Sequence, residues 1–255
     1  MSAPTMPVAR PLTLKQRHGQ FLGSIAVAFA VVLLWQIVSG LLFVVPAPAR
    51  TVAVLASNLT DPDYLVDARE TALAVATAFV IGTLLGGLVG LVLGLVKPVR
   101  LATEPLIVAL NGVPKIVLYP ILLPIFQLGG SKIVMGVLFC LFPVLINVAA
   151  GVRHIPDVYW KLARSVQASW LQTLVHIILP AIRRPLLTGL RLAVSLAVVG
   201  VVLSEFFATR YGLGRVVLQT YGHGDYPEMV ATILLLIVVS FTISMLLWRW
   251  EKKVQ

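Results

Sequence analysis

The side chains that do chemistry are few in this chain, and their spacing is uninviting. His18, His154, His176 and His223 are scattered, with none of the short intervals that put two imidazoles on one metal ion. The single cysteine, Cys140, lies between Phe139 and Leu141 in an apolar run. It has no partner for an internal disulfide and reads as a small core residue. Gly129-Gly130-Ser131-Lys132 lacks the spaced glycines whose amides cradle phosphate, so if ATP drives this protein another chain hydrolyses it. No nucleophile–base pair and no metal-ligand set is present, which leaves no candidate catalytic residue and no cofactor bound by the chain itself.

Two cations stand out by their surroundings. Lys115 and Arg191 sit in apolar stretches, where an ionised group is costly and a functional role is the default expectation. For Lys115 the plainer alternatives are snorkelling to an interface or pairing with a nearby carbonyl; Arg191 is expected to snorkel towards phosphates. Glu104 and Glu205 lie towards the ends of apolar stretches, which is poor provision for the coupling-ion site of a gradient-driven transporter.

The elements that hold these residues follow from composition. Of 255 residues 59% are apolar and 12% charged, against about 45–50% and about 25% in soluble domains. A water-soluble fold of this length has too little interior to hide that excess. Six stretches reach the roughly 20 apolar residues that cross a bilayer: about 21–45, 69–96, 105–128, 132–151, 186–208 and 228–248. The expected fold is therefore an all-α, six-helix polytopic bundle. The first stretch is too long for a signal-peptide core, so Ala47-Pro48-Ala49 is not expected to be cleaved.

The net charge of +10 follows the membrane rather than nucleic acid. With the N-terminus inside, Arg10, Lys15, Arg17, Lys97, Arg100, Arg153, Lys161, Arg164, Arg183, Arg184, Arg249, Lys252 and Lys253 fall in the cytoplasm. Only Arg50, Arg69, Lys132, Arg210 and Arg215 fall outside, with most of the acids. Both termini are then cytoplasmic. Residues 46–68, with Pro46, Pro48 and Pro62, are expected on the outer surface. This divides the chain into a tail, first helix and surface segment (1–68) and a core (69–255).

Within the core, Gly82, Gly86, Gly90 and Gly94 recur every four residues and make one smooth helix face for close packing. The third stretch is interrupted by Pro105, Pro114, Pro120 and Pro124, with Asn111 and Gly112. Such breaks survive only where protein or a water-lined cavity satisfies the freed backbone groups. The long basic loop at about 152–184 is patterned rather than random. Pro156 suits a first helical turn, Ser169 and Gln172 form a capping-box pair, and Trp160, Ala163, Trp170, Leu174 and Ile177 recur at roughly helical spacing. Pro180 is expected to end the second short helix. Two such helices fit either a groove on a partner protein or anionic headgroups, and the residues alone leave both open.

The loop resembles the Glu-Ala-Ala loop of binding-protein-dependent ABC importer permeases. Ile177, Leu179, Pro180 and Ala163 match its pattern, while Lys161 stands at the usual Glu, Leu162 at the first Ala and Gln167 at the Gly. Around it, Val45-Pro46-Ala47-Pro48, Glu104-Pro105, Val113-Pro114-Lys115, Tyr119-Pro120, Phe126 to Lys132, Thr188 to Arg191 and Glu205…Gly212-Leu213-Gly214 are similar to the nitrate/sulfonate/taurine branch of those permeases. The resemblance implies a multi-pass permease in the inner membrane of a prokaryote, paired with a second copy. Two ATPase subunits below would hydrolyse ATP, and a substrate-binding protein would sit above. It implies coupling through Lys161, Leu162, Ala163, Arg164, Val166, Gln167, Ala168, Ser169 and Trp170, with Ile177, Leu179 and Pro180 fixing the exit. It implies a solute path near Asn111, Lys115, Tyr119, Gln127, Asn147, Ser195 and Ser204. Sulfonate, taurine, nitrate and pyrimidine-type cargoes all stay open, as does a permease-like partner that couples poorly.

Overall fold

A computed structural model describes residues 14–207 and 209–253; Arg10, counted above as cytoplasmic, lies outside them. Every described element is helical: α1 (Leu14–Leu41), α2 (Pro48–Asn58), α3 (Pro62–Leu95), α4 (Lys97–Gly112), α5 (Tyr119–Arg153), α6 (Asp157–Ser165), α7 (Trp170–Thr173), α8 (Leu179–Glu205), α9 (Leu213–His223) and α10 (Tyr226–Lys253). Among the described residues, five helical stretches are long and apolar enough to cross a membrane. They fall at Gly23–Leu41, Pro62–Leu95, Lys115–Arg153, Trp170–Glu205 and Tyr226–Lys252.

α3, α5 and α8 form the core. The glycine stripe explains how α3 and α5 come so close. A methyl at Gly86 would stand 2.5 Å from the Leu141 carbonyl oxygen, and one at Gly90 2.7 Å from that of Leu145. One at Gly82 would meet Cys140, and one at Gly94 would meet Val152. Only a hydrogen fits at these positions; at Gly86 and Gly90 the packing is against backbone, and at Gly82 and Gly94 against the Cys140 and Val152 side chains. Cys140, Val144, Val148 and Val152 of α5 then join Ile178, just ahead of α8, and Ile182, Ala193 and Ala197 of α8 in the main cluster. By contrast α1 stands apart, its apolar side chains mostly open, tied on through α2 and a hydrogen bond from Trp35 Nε1 to the Pro46 carbonyl at 3.0 Å.

The structure redraws three boundaries. α3 begins at Pro62, capped by Asp61, ahead of the stretch expected at 69–96. The stretch expected at 105–128 is built in pieces: α4, a 3-10 turn over Lys115–Leu118, and the start of α5. Pro105 is accommodated inside α4; the break comes at Val113-Pro114, because proline offers no N–H and drives its predecessor out of the helical region. Pro180 does not end a helix. Trp170 to Glu205 runs continuously, with a π turn over Leu174–Ile178 that absorbs the hydrogen bond Pro180 cannot make.

α5 also hides a reversal. Gln127 has φ 57° and ψ −177°, and Ser131 Oγ, beyond it, donates to the Leu122 carbonyl at 3.1 Å and to that of Gln127 at 2.6 Å. The Lys115 ammonium lies 4.8 Å from the Phe142 ring centre, whereas a straight helix would separate those residues by about 40 Å. The chain therefore turns back on itself at Gln127, and its two limbs run antiparallel.

Candidate functional site

Three constellations carry polar or exposed groups that packing alone does not account for. The first is the connection from α6 to α7. Helix α6 ends in a Schellman motif: the Ala168 amide donates to the Ala163 carbonyl at 2.9 Å and the Gln167 amide to that of Arg164 at 3.1 Å. This places Gln167 at φ +50°, in the left-handed region that favours glycine. The chain thus keeps the turn without the residue that makes it easy. The expected capping box is present: Ser169 Oγ accepts from the Gln172 amide at 3.3 Å, and Gln172 Oε1 from the Ser169 amide at 2.8 Å.

The two tryptophans of this connection part company. Trp160 packs with Leu174 against the main core, so it anchors the hairpin. Trp170 is 60% exposed, and Leu162, Val166 and Leu171 of the same connection are open too, as are the side chains of Lys161 and Arg164. A cavity of about 450 Å³ between the two short helices is bounded by Trp160, Ala163, Arg164, Gln167, Trp170 and Thr173. Ala163 is buried, and Ile177, Leu179 and Pro180 continue into the long helix.

The second constellation lies at the opposite end of the bundle and joins Glu205, Lys132 and Gly212-Leu213-Gly214, motif residues whose mutual contact the sequence does not show. Glu205, with a fully buried side chain, accepts from Thr71 Oγ1 at 3.0 Å, from the Gly214 amide at 2.9 Å and from Lys132 Nζ at 3.4 Å. Thr71 Oγ1 in turn accepts from the Leu213 amide at 2.8 Å. Asp67 takes the Gly212 amide at 2.6 Å and Arg215 at 2.7 Å. Gly212 has φ +137°, and a Cβ there would collide with the Glu205 carboxylate. The cluster uses α3, α5 and α8 to pin the start of α9. The usable signal was the pairing of a lone apolar-segment Glu with the Gly-Leu-Gly that follows it. With these partners Glu205 has no free face for a coupling ion.

The third is Lys115, whose ammonium donates to the Asn111 carbonyl at 3.1 Å and approaches Asn111 Oδ1 at 3.4 Å. Its pairing with a neighbouring carbonyl is thus realised. The other expected path residues are not gathered around it. Tyr119 is buried, its ring 5.3 Å from that of Phe207. Ser204 is fully buried, its hydroxyl given to the Val201 carbonyl at 2.6 Å. Asn147 donates to the Pro143 carbonyl at 2.8 Å, Ser195 is half-buried on α8, and Gln127 is exposed at the reversal. Arg191 does not reach for phosphate alone; Glu251 of α10 lies 3.4 Å from it, and Thr188 holds the other Glu251 oxygen at 2.8 Å.

A bundle of apolar helices with a buried polar clamp at one end and an exposed aromatic hairpin at the other defines a multi-pass membrane transport component. Residues 80–252 match the family described as binding-protein-dependent transport system inner membrane component, and the chain belongs to that family. It is 26% identical over 230 residues, 88% of this chain and 83% of the other, to SsuC of Bacillus subtilis, described as an aliphatic sulfonates transport permease. It is 27% identical to the nitrate import permease NrtB of Leptolyngbya laminosa, over 87% of this chain and 83% of that one. It is 26% identical to the formylaminopyrimidine transport permease ThiX of Halalkalibacterium halodurans, over 86% and 92%. The protein is accordingly an ABC importer permease of the inner membrane, not itself an enzyme. Proteins of this kind work with an ATPase that uses the ATP and with a substrate-binding protein.

Proposed function

We propose that two copies of this chain form the solute path of an importer, and that α6 and α7 seat in a cleft on each of two ATPase subunits. The single observation that carries the coupling reading is the open apolar surface of Trp170, Leu162, Val166 and Leu171. It belongs to a hairpin whose own anchor, Trp160, is already satisfied. Exposed aromatic and aliphatic groups of this kind are what helix-in-groove recognition uses. The charge pattern puts this hairpin and both termini in the cytoplasm and the Lys132–Glu205 clamp at the outer face. In this reading α4, the 3-10 turn and the first limb of α5 together make the third of six crossings. Coupling falls to Lys161 to Ser169 with Trp170, and the path to Asn111, Lys115, Tyr119, Gln127, Asn147, Ser195 and Ser204.

Gln167 keeps the left-handed turn, which favours a competent hairpin over a poorly coupling partner subunit. Lys161, standing where an acid is usual, specifies an ATPase cleft with a matching negative group. The cargo we propose is a small anion of the sulfonate, taurine or nitrate kind, in keeping with two of the relatives. ThiX supports the pyrimidine reading as the second choice. Cysteine placed at Val166 or Ser169 should cross-link to a thiol on the co-purified ATPase and be shielded from maleimide. Unhindered labelling in its presence would overturn the docking.

A further inference from the structure

Lys115 is placed where a cation is hard to keep. Along the second limb of α5, its ring neighbour Phe142 lies eleven residues from Arg153, about 16 Å. The same ring lies fifteen residues from the Gln127 reversal, about 22 Å. The ammonium is thus near the middle of the apolar layer. None of the described ion pairs includes it.

Two features hold it there. Helix α4 ends at Gly112, and Lys115 caps the freed Asn111 carbonyl, taking advantage of a helix C-terminus worth about half a negative charge. The rings of Phe142 and Phe139 lie 4.8 and 5.7 Å from the ammonium, within cation–π range. Both contacts are partial. Asn111 offers one backbone and one side-chain oxygen, at 3.1 and 3.4 Å, both neutral, so no full counter-charge meets the ammonium among the described ion pairs. Because Asn111 turns Oδ1 towards Lys115, its amide N–H2 is left to donate elsewhere. The surface is open here: α4 buries none of its residues, and Asn111, Gly112 and Val113 are exposed.

We propose that Lys115 and Asn111, backed by Phe139 and Phe142, form a recognition station in mid-path for a singly charged oxyanion. This rests on the permease reading above. One oxygen of the anion takes an ammonium proton and a second takes the Asn111 amide, so two oxygens on one atom are read together. The phenyl rings keep water off that side, which strengthens the charge-assisted hydrogen bond. A cation meets repulsion, and an uncharged isostere forfeits the charge pairing. Lys115 caps a helix in the empty state and holds cargo in the loaded one.

Reductive methylation with formaldehyde and cyanoborohydride, read peptide by peptide on the full chain in zwitterionic lipid nanodiscs, tests this. The probes are ethanesulfonate and its uncharged analogue dimethyl sulfone, at constant sodium chloride. Ethanesulfonate at ten times its half-protecting concentration should slow Lys115 by about tenfold and leave Lys97 and Lys161 unchanged. Dimethyl sulfone should do nothing, and Asn111→Ala should weaken the protection. Equal Lys115 rates under both probes overturn the station, as does a Lys115 that never reacts, since cargo must reach it through water. Protection that survives loss of the ATPase cross-link removes the coupling reading alone; a cross-link without protection removes the station alone.

Discussion

Replacing Lys132 by methionine isolates the Lys132–Glu205 clamp. Methionine keeps roughly the length of the side chain and removes the charge, leaving the Glu205 carboxyl without its cation in a site where its side chain is fully buried and that of Lys132 is 7% exposed. At 3.4 Å, with an effective dielectric of about 20, the lost attraction is about 5 kcal/mol. Thr71 and Gly214 continue to donate to the carboxylate, so part of this is retained, and a loss of about 3–5 kcal/mol is expected for breaking a buried pair from one side. Lys132→Met combined with Glu205→Gln removes both charges and should be less destabilised than the sum of the singles by about 2 kcal/mol or more. The assay is SDS-induced unfolding in mixed micelles, followed by tryptophan fluorescence and by amide exchange. Exchange should rise first at Gly212, Leu213 and Gly214, whose amides the clamp holds. A Lys132→Met protein within about 0.5 kcal/mol of the parent, or additive single effects, would refute the reasoning.

Gln167→Gly relieves a left-handed backbone that costs a side-chain-bearing residue about 1–2 kcal/mol. It should raise the unfolding midpoint, whereas Gln167→Ala should not. Gly86→Ala forces a methyl onto the Leu141 carbonyl and should cost about 1–3 kcal/mol; Gly87→Ala, with nothing within 4 Å, should be neutral or slightly stabilising in the same titration.

The sequence made five long apolar helical stretches legible because length and apolarity are local properties. The glycine stripe was legible because a step of four has one geometric meaning. The capping box of Ser169 and Gln172 was read for the same reason. What escaped depended on distant partners. Glu205 and Lys132 are 73 residues apart and looked like two separate charges near segment ends. Arg191 looked free to snorkel because Glu251 is 60 positions away. Pro180 misled for the opposite reason. Its local rule ends helices, and the π turn of Leu174–Ile178 pays that cost within the helix.

That same π turn joins the two ends of the molecule. Trp170, at the exposed hairpin, and Glu205, in the clamp, are the first and last residues of one 36-residue helical stretch about 54 Å long. A tilt of about a tenth of a radian about its centre carries each end some 2.7 Å, in opposite senses. The rod is a first-class lever, and on the docking proposed above the residue that meets the partner shares its beam with the carboxylate that holds α9. Motion at one face is then geometrically inseparable from motion at the other, except for what the extra residue in the π turn can absorb.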